Sequence, residues 1–218
     1  MSDRRICILT AHTLRADWRE LGSVSVPTMR EYANRHGLSL KVFTDGFAEA
    51  RAFQWSKIKF IKTLLSDYEW IWWIDADAVI TNQTKTIDRF LSFDADVVIG
   101  EDLDIELLCN TGSFFVRNCP FSFWLLDEIW KREDLANKPL HEQESLADLY
   151  RAGKCRGRVM MVPLRELNGY CDWHAERYDK IPNENLQWHV GDFVAHCAGY
   201  AMEHRIEILK EVVALTVR

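Results

Sequence analysis

Glu69-Trp70-Ile71-Trp72-Trp73-Ile74-Asp75-Ala76-Asp77-Ala78-Val79-Ile80-Thr81-Asn82 is the stretch that decides the fold. An almost wholly apolar run stops at two aspartates separated by one small residue. Trp70 to Ile74 is β-branched and aromatic without alternation, which suits a strand covered on both faces. The aspartates then fall at its carboxyl end, where open α/β sheets place their ligands. In extended backbone Asp75 and Asp77 point the same way, because side chains alternate with a period of two. Two carboxylates aimed at one point repel unless something positive lies between them, and a divalent cation meets that need. The competing reading is a turn in which one aspartate caps the next helix and the other is solvated.

The flanking sequence alternates in type. Upstream, Phe53 to Tyr68 is amphipathic, with Ile58, Ile61 and Leu65 on one face and Phe60 and Leu64 beside them. Ser39 to Thr44 reads as a strand, Val26 to His36 as a helix stopped by Gly37, and Arg5 to Thr10 as a first buried strand. Strand, helix, strand, helix, strand implies a parallel sheet with right-handed crossovers. Downstream, Thr84 to Phe93 reads as a helix with Thr84 or Thr86 as N-cap, and Asp96 to Gly100 as a strand. An acidic stretch, Glu101 to Glu106, follows. Ser113 to Arg117 reads as a strand entered through a turn at Asn110-Thr111-Gly112. Pro120 opens one helix, and His141 to Tyr150 forms another. Arg158 to Val162 and Phe193 to Cys197 are late strands, and Glu203 to Ala214 is a last helix. Polar, aromatic Asn168 to Asn185 fits no element.

No linker, repeat or low-complexity tract divides the 218 residues, so 1–218 reads as one α/β domain with a mostly parallel sheet flanked by helices. A hydrophobic content of 48% with nine tryptophans is ample for its core. The net charge of −6 argues against a nucleic-acid or anionic-membrane partner. Met1-Ser2-Asp3-Arg4-Arg5 leads into too short an apolar run for a secretory signal, and no segment has the length of a membrane span. Cys7, Cys109, Cys119 and Cys197 sit in or beside apolar stretches with neither disulfide-framework nor zinc spacing. They read as small core residues of a reducing compartment, and the chain as a soluble, cytoplasmic protein.

Four places carry polar groups that a core does not need. Asp75 and Asp77 come first. Asn110-Thr111-Gly112-Ser113 is a small polar turn, which turn chemistry alone also explains. The acids of His141-Glu142-Gln143-Glu144 suit a helix N-terminus by its dipole as well as they suit a site. His196 lies in an apolar strand, where an imidazole is either a satisfied core residue or the completion of a metal site. Lys57 and Lys59 precede the aspartate-bearing strand: they are either solvated helix residues or partners for diphosphate oxygens beside a carboxylate-held cation.

These pieces, in this order, resemble the GT-A glycosyltransferases of family 34, which include fungal α-galactosyltransferases and mannan-synthesis proteins and plant xyloglucan xylosyltransferases. Tyr32-Ala33-Asn34-Arg35-His36-Gly37 is similar to that family's Tyr-Ala-x-x-His-Gly, and Trp55-Ser56-Lys57 to its Trp-x-Lys. Glu69 to Ala78 resembles its Glu-Trp-x-Trp-Trp-x-Asp-x-Asp-Ala, the most specific match. Asn110 to Phe114 with Arg117-Asn118 resembles Asn-Thr-Gly-Ser-Phe-x-x-Arg-Asn, and Gly191 to Gly199 resembles Gly-Asp-Phe-x-x-His-x-Ala-Gly.

The resemblance implies transfer of a sugar from a nucleotide sugar (UDP-galactose, UDP-glucose or UDP-xylose) to a glycan or glycolipid acceptor, with retention at the anomeric carbon. It implies Mn²⁺ (or Mg²⁺) held by Asp75, Asp77 and His196, with Lys57 neutralising the diphosphate. Asn110, Gly112 and Ser113 would line the donor sugar, and Gln143 would stand beside the anomeric centre with Glu142 next to it. Asp192 would touch the donor or order its loop, while Thr10, Ala11, Ala76 and Gly199 complete the donor-binding set. Eukaryotic members carry a membrane anchor and stem, whereas this chain begins almost at its first strand, so the expectation is a bacterial or viral soluble form. Gly153 to Trp188 matches the pattern less well and is where acceptor choice is expected. Two rival readings are a haloacid-dehalogenase-type phosphatase using Asp75 and Asp77, and a non-catalytic nucleotide-sugar-binding module.

Overall fold

The computed structural model of the chain describes residues 5–102, 108–171 and 185–218. From the N-terminus, β1 (Ile6–Ala11) leads through α1 (Ala16–His36) to β2 (Ser39–Phe43). A 3-10 turn at Phe53–Trp55 enters α2 (Ser56–Leu64), and another at Leu65–Asp67 leads into β3 (Trp70–Ile74). Next come β4 (Ala78–Ile80), the one-turn α3 (Asp88–Leu91), β5 (Val97–Glu101) and β6 (Cys109–Arg117). Helices α4 (Pro120–Trp130) and α5 (His141–Arg151) precede β7 (Val159–Pro163), α6 (Leu164–Leu167) and β8 (Gly169–Tyr170). β9 (Val194–His196) and α7 (Met202–Ala214) follow.

Six strands form the main sheet in the order β2-β1-β3-β6-β5-β7. β1 runs parallel to β2 and β3, and β5 parallel to β7, while β6 is reversed between β3 and β5. The expected α/β fold with a mostly parallel sheet is therefore present, with one antiparallel strand at its middle. Every residue of β3 is buried, because strands flank it on both sides and helices cover both faces. Ile71 and Trp73 pack with Ile58, Ile61, Leu125 and Ile129 on one face. Trp70, Trp72 and Ile74 pack with Met29, Tyr32 and Phe193 on the other. The Trp72 ring meets Tyr32 edge-on at 5.6 Å and stacks on Phe115 at 5.0 Å. Removing such a ring costs about 3–5 kcal/mol.

A second, three-stranded sheet, β4-β9-β8, joins distant parts of the chain: Ala78 pairs with His196, and Tyr170 pairs with His196 from the other side. It rests on α1 and α7 through Leu21, Val79, Ala195, Leu209 and Val212. All six cysteines are free thiols, and five of them are buried; Cys119 is half-buried.

Three local expectations change. α1 starts at Ala16 rather than Val26, because its first half buries only Leu21 beside the small Gly22 and Ser25, which leaves no apolar stripe in the sequence. Asn110-Thr111-Gly112 is the first part of β6, not a turn. Asn110 pairs with Gly100, and a register shift at Ile99/Gly100 absorbs the irregularity. The helix expected over Thr84 to Phe93 shrinks to α3, since Asn82 Oδ1 holds both the Thr84 amide and hydroxyl in a turn. Residues 103–106 of the acidic stretch and 172–184 of the unassigned polar segment lie outside the described residues.

Candidate functional site

β3 ends at Ile74, and three backbone bonds then share the aspartates between the two sheets. The Asp75 amide donates to Gly112 O in β6 at 2.7 Å, and the Ala78 amide donates to Asp75 O at 3.0 Å. The Cys197 amide donates to Asp77 O, also at 3.0 Å. Asp75 is thus tied to the large sheet and Asp77 to the small one. His196, paired opposite Ala78, arrives from nearly 120 residues away. Asp75, Asp77 and His196 each present one ligand atom, and these atoms all lie within 4.8 Å of one another. Gly112 makes this approach possible: a Cβ there would lie 2.3 Å from His196 Cε1.

Each carboxylate has its own cation. Lys57 Nζ, on the buried face of α2, lies 3.1 Å from Asp75 Oδ1 and 3.0 Å from Glu142 Oε1, and donates to Thr111 O at 3.1 Å. Lys57 is therefore a buried link between β3, β6 and α5 rather than a solvated helix residue. Burial works to lower its pKa, but Asp75 and Glu142 outweigh burial and hold it above the ordinary value. Trp73 Nε1 donates to Asp75 Oδ1 at 2.6 Å. Asp77 Oδ1 faces His196 Nε2 at 3.3 Å, and Asp77 Oδ2 meets Arg205 Nη1 at 2.9 Å. Burial raises the Asp75 pKa above its ordinary value, with Lys57 opposing it. Burial also works against ionised Asp77, but His196 and Arg205 outweigh it and hold that carboxyl below its ordinary range.

These groups floor a cavity of about 460 Å³ that also takes in Ala11, Ala76, Asn110, Gly112, Glu142, Gln143 and Gly199. Gln143 Oε1 accepts from the Thr111 amide at 3.0 Å, which fixes its carboxamide at the head of α5. That helix opens on His141 with φ +49°, a conformation an L residue rarely adopts. Asn110 Oδ1 accepts from the Gly112 amide at 2.8 Å and from Asn168 at 2.5 Å. Its Nδ2 donates to Tyr170 Oη at 2.8 Å, and Tyr170 donates in turn to Asp102 Oδ2 at 2.6 Å.

Three candidates stand outside the cavity lining. Ser113 is buried with its hydroxyl accepting from Trp72 Nε1 at 3.0 Å, so it serves the core beneath β6. Thr10 is wholly buried one residue short of the strand end, where Ala11 takes the place in the cavity lining. Asp192 is paired with Arg165 at 2.9 Å and accepts from the His189 amide at 2.9 Å, which orders the loop before β9. Conversely, Tyr170 and Arg205 belong to the site without having been singled out, and Thr111, named only as part of the polar turn, lines it as well. Tyr170 lies in the segment that fits no pattern, and Arg205 reads as an ordinary polar position of an amphipathic helix.

The fold is that of the GT-A glycosyltransferases. A crystal structure of a glycosyltransferase involved in glycosylation of the major capsid of PBCV-1 matches with a TM-score of 0.76 at 18% identity, over 95% of this chain and 99% of that one. The galactosyltransferase LgtC in complex with donor and acceptor sugar analogs matches with a TM-score of 0.57 at 11% identity, over 94% and 95%. The chain belongs to the galactosyl transferase GMA12/MNN10 family, whose pattern it matches over residues 3–96 and 92–207. It is 23% identical to the probable alpha-1,6-mannosyltransferase MNN10 of Saccharomyces cerevisiae, over 81% of this chain and 54% of that protein. An uncharacterized alpha-1,2-galactosyltransferase of Schizosaccharomyces pombe is 27% identical over 66% of this chain and 49% of its own length. A probable xyloglucan 6-xylosyltransferase of Arabidopsis thaliana is 31% identical over 47% of this chain and 24% of its own. The chain thus spans about half the length of the two fungal relatives. Among the described residues, no helix is long and apolar enough to cross a membrane.

Proposed function

We propose that this chain is a metal-dependent glycosyltransferase. It moves a hexose or pentose from a UDP-sugar to a hydroxyl of a glycan or glycolipid, with retention at the anomeric carbon. The observation that carries the reading is the convergence of Asp75, Asp77 and His196 within 4.8 Å on the floor of a cavity large enough for a donor. The donor set fits a dication: two carboxylates and an imidazole suit Mn²⁺ (or Mg²⁺), and His196 Nδ1 is buried with no hydrogen-bond partner among the described residues. When bound, the metal would supply positive charge against the departing diphosphate.

The chain's own residues then divide the work. Lys57, a buried cation beside Asp75, adds a fixed positive charge next to the leaving diphosphate. Asn110, held by Gly112, Asn168 and Tyr170, presents a pre-set amide to the donor sugar. Gln143 and Glu142 face the cavity at the head of α5, and Glu142 Oε2 is buried without a hydrogen-bond partner among the described residues. They are the groups proposed to stand beside the anomeric centre. Ala11, Ala76 and Gly199 give room for the donor to lie close to backbone. Mn²⁺-dependent hydrolysis across a panel of nucleotide sugars tests the reading. Turnover of UDP-sugars that stops with a chelator is expected; free phosphate from simple phosphoesters, with no response to UDP-sugars, would sink it.

A further inference from the structure

Asp77 divides its two oxygens between groups of different kinds. One faces His196, which belongs to the candidate metal set; the other is held at 2.9 Å by Arg205, which does not. Arg205 stands in the first turn of α7, anchored through Nε on Tyr200 O at 2.6 Å, and lines the same cavity. A guanidinium carries its charge at every relevant pH and offers several donors in a fixed fork. It therefore sits on a carboxylate oxygen that an incoming dication would use, with its own positive charge facing the place the ion would take. Lys57, on the Asp75 side, is held by Glu142 and Thr111 as well, so its position does not depend on Asp75 alone. Among the described residues, Arg205 is held outside Asp77 only through its Nε, which leaves the fork a pivot about the Tyr200 carbonyl.

We propose that Arg205 is a placeholder cation. In metal-free protein it neutralises buried Asp77; when metal enters, it leaves that oxygen and turns into the cavity to take the donor's diphosphate. The proposal rests on the nucleotide-sugar reading of the site. It requires two affinities to move in opposite directions when Arg205 is changed, which a purely structural arginine would not produce. Without the placeholder, the metal faces less competition; without the freed guanidinium, the diphosphate loses a partner.

The experiment titrates Mn²⁺ alone into wild type, Arg205→Gln and Arg205→Lys by calorimetry, then UDP at saturating Mn²⁺. Arg205→Gln is expected to bind Mn²⁺ roughly tenfold tighter and UDP roughly tenfold more weakly, within the usual range of coupling between sites. Its metal-free melting temperature should fall, and Mn²⁺ should raise it by more than in wild type. Equal or weaker Mn²⁺ binding by folded Arg205→Gln overturns the placeholder role, and unchanged UDP binding overturns the hand-over. If Arg205→Gln does not fold, Arg205→Lys carries the test: tighter Mn²⁺ binding supports the proposal and unchanged binding overturns it. A wild type that binds neither Mn²⁺ nor UDP fails the nucleotide-sugar reading itself, a result distinct from either of these.

Discussion

The two sheets meet at Asp75-Ala76-Asp77 and treat the two aspartates differently. On the large-sheet side, Asp75 is enclosed by Lys57, Trp73 and, through Lys57, Glu142, all from elements packed against the main core. On the small-sheet side, Asp77 faces His196 and Arg205, which reach it from the last described part of the chain. The large-sheet half is a buried ion network whose members hold one another. The small-sheet half is a pair of groups brought in separately, His196 by three-residue β9 and Arg205 by the first turn of α7. The first therefore bears mainly on stability, and the second mainly on ligand affinity.

The sharpest way to break that division is Lys57→Met. It leaves Asp75 and Glu142 together with no cation between them, and removing one partner of a buried pair costs about 3–5 kcal/mol. Urea unfolding should show that loss with no metal present; a loss under about 1 kcal/mol, the scale of exposed pairs, would erase the contrast. Asp77→Asn should act the other way. Mn²⁺ affinity should fall by more than about 100-fold, beyond what loss of an outer-shell partner does, while the far-ultraviolet circular dichroism stays native. Unchanged Mn²⁺ titration would refute the metal assignment.

The same variant gives a smaller, pH-dependent signal. Asp77 is held below the ordinary carboxylate range, so its contribution to metal-free stability is present at neutral pH and is lost as acid protonates it. The raised Asp75 works in the opposite sense, and less so in Asp77→Asn, where the Asp77 charge that helps to raise it is gone. Wild type should therefore lose more stability than Asp77→Asn on going below about pH 4. Parallel acid limbs would show that Asp77 contributes nothing there. The least effect is expected from Tyr170→Phe. Losing its hydroxyl, which joins Asn110 to Asp102, should cost about 1 kcal/mol in stability, as one hydrogen bond does, and weaken UDP-sugar binding more than Mn²⁺ binding.

Much of the large sheet could be read from the chain because its signals are local. Ile6–Ala11 and Trp70–Ile74 are continuous apolar runs, and α2 and α4 show their buried faces by spacing. Lys57 lay in view too, two residues from Trp55 at the same helix start, but whether it was solvated or buried depended on the depth at which α2 packs. Asn110-Thr111-Gly112 has the composition of a turn, and only pairing with Gly100 and Asp75 makes it a strand. Ser113 belongs to a motif that resembles a donor site, yet the pleat turns its hydroxyl to Trp72.

The sequence by itself determined the α/β class, the buried strand that ends in Asp75 and Asp77, and the residue types able to hold a cation, because apolar periodicity and acid spacing are properties of neighbours along the chain. The tertiary structure alone decided that His196 stands opposite Ala78, that Lys57 is shared by Asp75 and Glu142, and that Arg205 takes the second oxygen of Asp77. Those contacts join positions up to 128 residues apart (205 − 77). Short strands and single long side chains make them, and such groups carry no periodic mark; packing of the surrounding sheets and helices fixes where they meet.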